Sequence, residues 1–374
     1  MHGIRIGRIF GIDIAIHVSW FAILALFAFS LATGFFPAVY VWHPAAYWIV
    51  ALIATLLLFV SVLAHELGHS LVALRQGIPV KSITLFILGG VASIEKDPAS
   101  PGREAILAGV GPLVSLAIGV VTFALAQVLP GPEYLVAVLF YLGVANVSLA
   151  LFNMLPGFPM DGGRVLRALL WWRSRDFLTA TRRAAGVSRI VGYGFIALGG
   201  YQLLTASGLS GIWLAFVGWM LLQASRASLQ QAQLEHELEG VTARRLATAP
   251  RVWVPPFITL NAARDYFADQ PAPCLPVEAE REGEAYDGAL CVSDLERTPR
   301  PEWDSARARD AMTRAGDIPS VSPETPAIEA VRLMAEQGVS RVAVIDAGSL
   351  LGFLDREGTF RFLQRRRALG APGV

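Results

Sequence analysis

The sequence predicts an α-helical polytopic membrane protein with six transmembrane helices and a membrane-associated β-hairpin, followed by an α/β cytoplasmic tail. Hydrophobic residues make up 54% of the 374 positions and charged residues only 16%, whereas soluble domains carry roughly 25% charged residues. The apolar residues also lie in long runs, and about 20 consecutive apolar residues cross a bilayer. This composition excludes intrinsic disorder. A net charge of +1 gives no support for nucleic acid as a partner.

The runs of apolar residues are interpreted as six membrane spans. They cover residues 15–36, 46–74, 105–129, 134–155, 187–204 and 209–224. Lysine and arginine precede the first span and lie between the second and third and between the fourth and fifth, and they are missing from the other connections. Positive loops stay on the cytoplasmic side, so both termini are predicted to be cytoplasmic.

From residue 226 the composition becomes that of ordinary soluble sequence. We therefore predict a membrane domain over 1–225, a helical linker over 226–240 and a cytoplasmic module over 241–374. The module reads as a duplication, with a degenerate first copy over 241–300 and a second copy over 305–368. The second copy has the order helix, strand, turn, strand, helix. That order resembles a pair of cystathionine-β-synthase (CBS) domains.

The string HELGH, at residues 65–69, ends the second predicted span. A spacing of four puts His65 and His69 on one helix face, so both imidazoles can reach one zinc ion while Glu66 lies beside it. Zinc activates a water molecule, and a neighbouring glutamate can take its proton and pass it to a leaving amine. Ionisable residues at the end of a membrane helix are costly unless they are paired or coordinated, which favours a metal site over a chance motif.

A catalytic zinc takes three protein ligands, and Asp161 is the best third candidate. It lies in the string FNMLPGFPMDGGR after the fourth span. The predicted topology brings it to the same side of the bilayer as HELGH. The alternative is that Asp161 caps a helix starting at Gly162.

The pair of motifs, HELGH and NxxPxxxxDGG, resembles the site-2 protease family of intramembrane zinc metalloproteases. The resemblance covers residues 4–222 and implies one zinc ion held by the three residues above, with Glu66 as general base or acid. It implies that Asn153 and Pro159 hold the substrate strand or polarise its carbonyl. The CBS tail is similar to that of bacterial and archaeal members, so a prokaryotic plasma (inner) membrane is implied.

Between the second and third spans, residues 80–97 alternate like a β-hairpin that breaks at Gly89 and Gly90. An exposed strand edge there could pair with an unwound substrate segment. The alternative is a simple cytoplasmic hairpin. The string GVGPLVS, at residues 109–115, is interpreted as close helix packing by small residues.

The CBS resemblance implies adenine-nucleotide binding, but the usual hydroxyl residue followed three positions later by aspartate is degraded. The second copy has Asp355 and Gly358 at these positions, and the first has Ser293 and Glu296. Nucleotide binding, homodimerisation and substrate filtering therefore stay open. The two cysteines of the tail are too few and too close together for a secreted disulfide framework, and they are interpreted as reduced thiols or filler.

The expected function is regulated intramembrane proteolysis, in which the enzyme hydrolyses a peptide bond in or near the transmembrane segment of a membrane-tethered protein. A helix buries its carbonyls in hydrogen bonds, so such a substrate must unwind first. Two alternatives remain, a zinc-binding membrane receptor that does not cleave and a CBS-gated transporter. A transporter would carry ionisable residues in several spans, whereas here they concentrate at HELGH and Asp161.

Overall fold

The structure, a computed structural model, describes residues 3–87, 89–94, 97–205, 209–268, 274–280 and 286–368. It divides into two compact units, Met1–Ala232 and Gln233–Val374.

The first unit is a bundle of long helices. They are α1 (Ser19–Ser30), continued through a π-helical turn (Leu31–Phe35) into α2 (Phe36–Val39), then α3 (Pro44–Arg75), α4 (Pro101–Val128), α5 (Glu133–Asn153), α6 (Asp161–Ser174), α7 (Phe177–Leu204) and α8 (Leu209–Glu237). Proline at the first helical position starts both α3 and α4, where its missing N–H costs nothing. The Ser100 side chain caps α4 by accepting from the backbone N–H of Arg103.

Five helical stretches of the described chain are long and apolar enough to cross a membrane. They are Ser19–Val39, Pro44–Arg75, Pro101–Val128, Glu133–Asn153 and Gly211–Glu237. The predicted span at 187–204 does lie in a helix, α7, but the sequence of that helix includes Arg182, Arg183 and Arg189, and it is not among the five. The count of six spans is therefore not confirmed, whereas a helical membrane protein with several spans is.

Against the helices lies a four-stranded sheet in the order β1 (Ile4–Ile9), β2 (Ile12–Ile16), β3 (Val80–Phe86), β4 (Gly89–Ile94). β3 and β4 pair antiparallel with Phe86 opposite Gly89, as the hairpin prediction requires. β2 and β3 pair in parallel, which the sequence analysis did not foresee. The first helix therefore starts at Ser19, and the prediction that a span begins at residue 15 is wrong because residues 12–16 are used as a strand.

Two of the apolar clusters in this unit pack its first helices and its sheet. Phe36, Ala51 and Leu142 join the first span to α3 and α5. Ile14 and Leu107 belong to the second cluster, which packs the sheet on α3 and α4. The sheet is thereby fixed against the helix that carries HELGH.

The second unit contains two three-stranded sheets, in the orders β5-β6-β7 and β10-β9-β8. Its elements are α9 (Ala243–Leu246), α10 (Leu260–Ala268), β5 (Cys274–Val277), β6 (Gly288–Cys291), α11 (Val292–Arg297), α12 (Ala308–Ala311), β7 (Thr313–Arg314), β8 (Ser320–Val321), α13 (Ala327–Gln337), β9 (Arg341–Asp346), β10 (Ser349–Asp355) and α14 (Arg356–Ala368). The helix-strand-strand-helix order of the second copy is confirmed by α13, β9, β10 and α14. Val342, Val344 and Leu354 are fully buried in its core.

Cys274 and Cys291 lie directly opposite each other on β5 and β6 and form a disulfide. The expectation of reduced thiols is therefore wrong. Strand pairing explains the difference, because it places the two Cα atoms 4.0 Å apart although 17 residues separate them in sequence.

Candidate metal centre

The candidate centre is formed by one long helix and the start of another. α3 carries His65 and His69 one turn apart, both at most 5% exposed. Asp161, the first residue of α6, brings its carboxylate to them. Its Oδ2 lies 3.2 Å from Nε2 of His65 and 3.3 Å from Nε2 of His69, and the two Nε2 atoms are 3.2 Å apart. This is the one group in the described residues whose ligand atoms could hold a metal ion together.

These three distances fit zinc. Zinc binds imidazole nitrogen and carboxylate oxygen at about 2.0–2.2 Å in a tetrahedron, which places neighbouring ligand atoms about 3.3–3.6 Å apart. The three atoms therefore form nearly one face of such a tetrahedron, and a fourth position remains for water or substrate. The donor set of two imidazoles and one carboxylate is also one that zinc accepts.

Asp161 does not act as a helix cap. The residue at the cap position of α6 is Met160, and it makes no side-chain capping bond. The Asp161 carboxylate is instead directed at the histidines. The first turn of α6 can pack tightly on the preceding turn because position 162 is glycine, where a Cβ would lie 2.3 Å from the carbonyl oxygen of Met154.

Both histidines are oriented by α4, which contributes no ligand. Ser115 Oγ lies 2.9 Å from Nδ1 of His65, and Nδ1 of His69 donates to the carbonyl oxygen of Leu107 over 2.7 Å. Such partners fix the ring orientation and leave Nε2 free for a metal. Between them lies Gly111, where a Cβ would stand 2.1 Å from Nε2 of His69 and 2.6 Å from Nε2 of His65.

The sequence analysis missed this role of α4. Gly111 and Ser115 both lie in GVGPLVS, which was interpreted as a packing segment. This segment does pack closely, and the groups that it packs against are the two imidazoles. A serine that follows small residues in a long apolar run was the available signal, since a fully buried hydroxyl needs a partner.

Glu66 lies under the sheet. The backbone of β4 passes so close that a Cβ on Gly90 would lie 2.5 Å from Cγ of Glu66. Gly89, whose φ is +127°, begins β4, the edge strand of the sheet. Gly90, one of the two glycines predicted to hold substrate, is therefore next to the predicted general base, whereas a Cβ on Gly89 would meet no atom within 4 Å.

Asn153 and Pro159 lie at the two ends of the turn that connects α5 to α6. Asn153 is the last residue of α5 and is half-buried, and Pro159 is exposed and follows Phe158 through a cis peptide bond. Pro159 lines a cavity of about 180 Å³ together with Asp97 and Arg164. No described contact joins either predicted substrate-binding residue to the histidines.

Comparisons with known proteins identify the family of the chain. A model of peptidase family M50 matches residues 53–134 and 131–198, and a CBS-domain model matches residues 308–364. The chain is 33% identical to the sll0528 protein of Synechocystis sp. over 98% of this chain and 97% of that one. The chain belongs to peptidase family M50. It is a zinc metalloprotease of the site-2 protease type with a C-terminal CBS module, as its two motifs predicted.

Two further matches come from the archaeon Methanocaldococcus jannaschii. The chain is 28% identical to zinc metalloprotease MJ0392 of Methanocaldococcus jannaschii over 96% of each chain. The solved structure of the site-2 protease from M. jannaschii is 31% identical and covers 61% of this chain and 95% of that one, with a TM-score of 0.43. Proteases of this family cleave membrane proteins, and the present chain is a multi-pass membrane protein with prokaryotic relatives.

Proposed function

We propose that the protein hydrolyses a peptide bond in or near the transmembrane segment of a membrane-tethered protein, using one zinc ion held by His65, His69 and Asp161. The observation that carries the proposal is the triangle of ligand atoms with sides of 3.2, 3.2 and 3.3 Å. It forms where two buried histidines meet the N-terminus of a second helix.

In this mechanism the zinc ion supplies Lewis acidity to a water molecule and to the scissile carbonyl. Glu66 accepts the proton of the attacking water and then donates it to the leaving amine. The hydrogen bonds that Nδ1 of the two imidazoles makes with Oγ of Ser115 and with the carbonyl oxygen of Leu107 keep both Nε2 atoms directed at the site. Burial of both histidines keeps bulk water away from the reacting atoms.

The substrate would be held as an extended strand along β4. A helical segment hides its carbonyls in internal hydrogen bonds, so it must unwind before attack. An edge strand offers backbone groups that replace those bonds. Gly89 and Gly90 leave this edge free of side chains next to Glu66, and Asn153 and Pro159 would hold the other side of the strand or polarise its carbonyl.

For the membrane topology we propose six spans, with α7 as the fifth, which leaves both termini in the cytoplasm of a prokaryotic cell. The distribution of arginine and lysine supports this arrangement, because all six basic residues between the fourth and fifth spans would lie on the cytoplasmic side. The membrane would be the plasma (inner) membrane.

The tail would then be a regulatory CBS pair over 241–374, connected through residues 226–240. A local symmetry supports two copies. Thr248 ends the string ARRLAT before the first copy's strands, and Thr313 ends the similar string ARDAMT in the second copy. Thr248 bridges to Phe353 of the second copy, and Thr313 pairs with Ala289 of the first. An adenine nucleotide or a second copy of the chain could be its ligand. In the second copy, Asp355 stands at the position where CBS domains usually have a hydroxyl residue. Its carboxylate accepts a hydrogen bond from the backbone N–H of Gly358 over 2.5 Å and is therefore already engaged within the chain.

The test combines metal content with cleavage. Wild type, Glu66→Gln and His65→Ala would be purified full-length in detergent, their zinc content measured, and each incubated with single-span membrane proteins. We expect one zinc per chain in wild type and Glu66→Gln, none in His65→Ala, and cleavage by wild type alone. Zinc without Glu66-dependent cleavage would favour a receptor, and absence of zinc from wild type would refute the ligand assignment.

A further inference from the structure

A buried ion pair joins α4 and α6, the helix that orients the two histidines and the helix that carries Asp161. Glu104 on α4 is fully buried, and the side chain of Arg167 on α6 is 7% exposed. Nε of Arg167 donates to Oε1 of Glu104 over 2.6 Å, and Nη2 contacts the same oxygen. Nη2 also donates to Oδ1 of Asp97 over 3.3 Å. We infer that this pair positions Asp161 and so sets the geometry of the third zinc ligand.

One face of α4 runs from the two histidines to Glu104. Glu104, Leu107, Gly111 and Ser115 are spaced by three, four and four residues and therefore share one helix face. The last three touch the two histidines, as described above. Glu104 is the fourth member of this face, and it contacts α6 instead of α3.

Arg167 belongs to the same helix as Asp161. The two residues are six positions apart, which is about 9 Å along α6. A hydrogen-bonded ion pair between Arg167 and Glu104 therefore fixes the depth and rotation of α6 relative to the helix that orients the histidines. Contacts with α4 therefore position both the histidines on α3 and Asp161 on α6.

Arg167 also packs on the turn that precedes Asp161. The guanidinium carbon of Arg167 lies 5.5 Å from the ring centre of Phe158 and 4.6 Å from that of Phe177. The backbone N–H of Phe158 donates to Oγ of Ser188 on α7 over 2.8 Å. Arg167, a member of the helix that starts with Asp161, thus contacts both the turn that leads into that helix and the start of α7.

The chemistry of the pair favours positioning over simple stabilisation. Burying two charges is costly, and apolar residues of similar volume often give equal or greater stability. Within the described residues, Oε2 of Glu104 has no hydrogen-bond partner, so the pair is not optimised for stability. A hydrogen-bonded charged pair fixes the relative orientation of its two side chains, which an apolar pair does not. The planar guanidinium also contacts two aromatic rings, and lysine has no planar group to reproduce those contacts.

The test separates stability from metal geometry, and it rests on the proposed zinc site. Full-length wild type, Glu104→Met, Arg167→Met and the double variant would be compared by Tm, by zinc affinity in competition with a chelator, and by cleavage of a single-span substrate. Each single change leaves a buried charge unpaired, so Tm falls, and the double variant, in which both partners are apolar, recovers it. We expect zinc affinity in the double variant to stay at least about tenfold below wild type, with a matching loss of kcat. Wild-type zinc affinity and kcat in the double variant would overturn the inference.

Two further variants keep the test decisive. Arg167→Lys retains the charge, and we expect it to fold with a near wild-type Tm and still bind zinc several-fold more weakly. If the double variant fails to fold, wild-type zinc affinity in Arg167→Lys overturns the inference. Arg173→Met, at an exposed position on the same helix, is the control and should match wild type in all three measurements. Failure of wild type to bind zinc would refute the zinc site itself and this role with it.

Discussion

Replacing Gly111 by alanine should abolish tight zinc binding without weakening the fold. The added Cβ would stand 2.1 Å from Nε2 of His69 and 2.6 Å from Nε2 of His65. Unbonded carbon and nitrogen atoms approach comfortably only to about 3.5 Å. At least one imidazole must therefore retreat by about 1 Å or more, or α4 must move away from α3.

A displacement of that size is large for a metal site. Ligand distances are expected within about 0.2 Å of their usual values, so a ring displaced by about 1 Å is no longer a ligand. Loss of orienting contacts alone costs about 10–100-fold in metal affinity, and we expect loss of a ligand to exceed the upper end of that range. A 100-fold loss corresponds to about 2.8 kcal/mol. Helix stability works in the opposite direction, since alanine is favoured over glycine inside a helix by about 1 kcal/mol.

The chain offers a matched control two residues earlier. A Cβ on Gly109 meets no atom within 4 Å, so Gly109→Ala gains the same helix preference without touching the site. Both variants would be purified full-length, and zinc affinity would be measured by chelator competition alongside Tm. Gly111→Ala should lose zinc and cleavage while keeping its Tm, and Gly109→Ala should keep all three. Equal zinc affinity in the two variants would refute the argument that α4 shapes the metal centre.

Three further substitutions and one treatment test other parts of the molecule. Ser115→Ala removes the hydroxyl beside Nδ1 of the first motif histidine and should lower zinc affinity by about 10–100-fold in the same competition assay. Gly90→Ala places a Cβ 2.5 Å from Cγ of Glu66 and should lower kcat at least about tenfold with zinc content unchanged, whereas Gly7→Ala, with nothing within 4 Å, should not. Leu354→Ala opens a cavity in the core of the tail and should cost about 2–5 kcal/mol, visible as faster hydrogen exchange confined to β9 and β10. Removing zinc with a chelator should stop cleavage reversibly and leave the helical circular dichroism unchanged, because the ligands lie on helices packed by apolar residues, and loss of helicity would contradict this.

The sequence was sufficient to bring the two histidines together because their spacing is a local signature. A helical spacing of four places two histidines on one face whatever the tertiary structure is. The position of Asp161 required long-range information, which the paired motifs supplied through resemblance and not through spacing. The hairpin at β3 and β4 was also readable, since strand alternation and a glycine break are local features.

What could not be predicted depends on pairing between distant segments. Residues 12–16 form a strand through antiparallel pairing with β1 and parallel pairing with β3, and the second of these pairings joins distant parts of the chain. The disulfide between Cys274 and Cys291 likewise depends on the register of β5 and β6. The ion pair of Glu104 with Arg167 joins residues 63 positions apart, and nothing in either local sequence identifies the partner.

The site therefore also depends on a helix that supplies none of its ligands. Zinc sites bury polar groups, and in a membrane bundle each of those groups needs a protein partner because the surrounding hydrocarbon cannot satisfy it. One face of α4 supplies these partners for both histidines, through the hydroxyl of Ser115 and the carbonyl oxygen of Leu107. Glu104, on the same face, pairs with Arg167 on the helix that carries the third ligand. A ligand mutation removes one coordinate bond, whereas a shift of α4 disturbs all three ligands at once. The residues of this face should consequently control metal affinity almost as strongly as the ligands themselves.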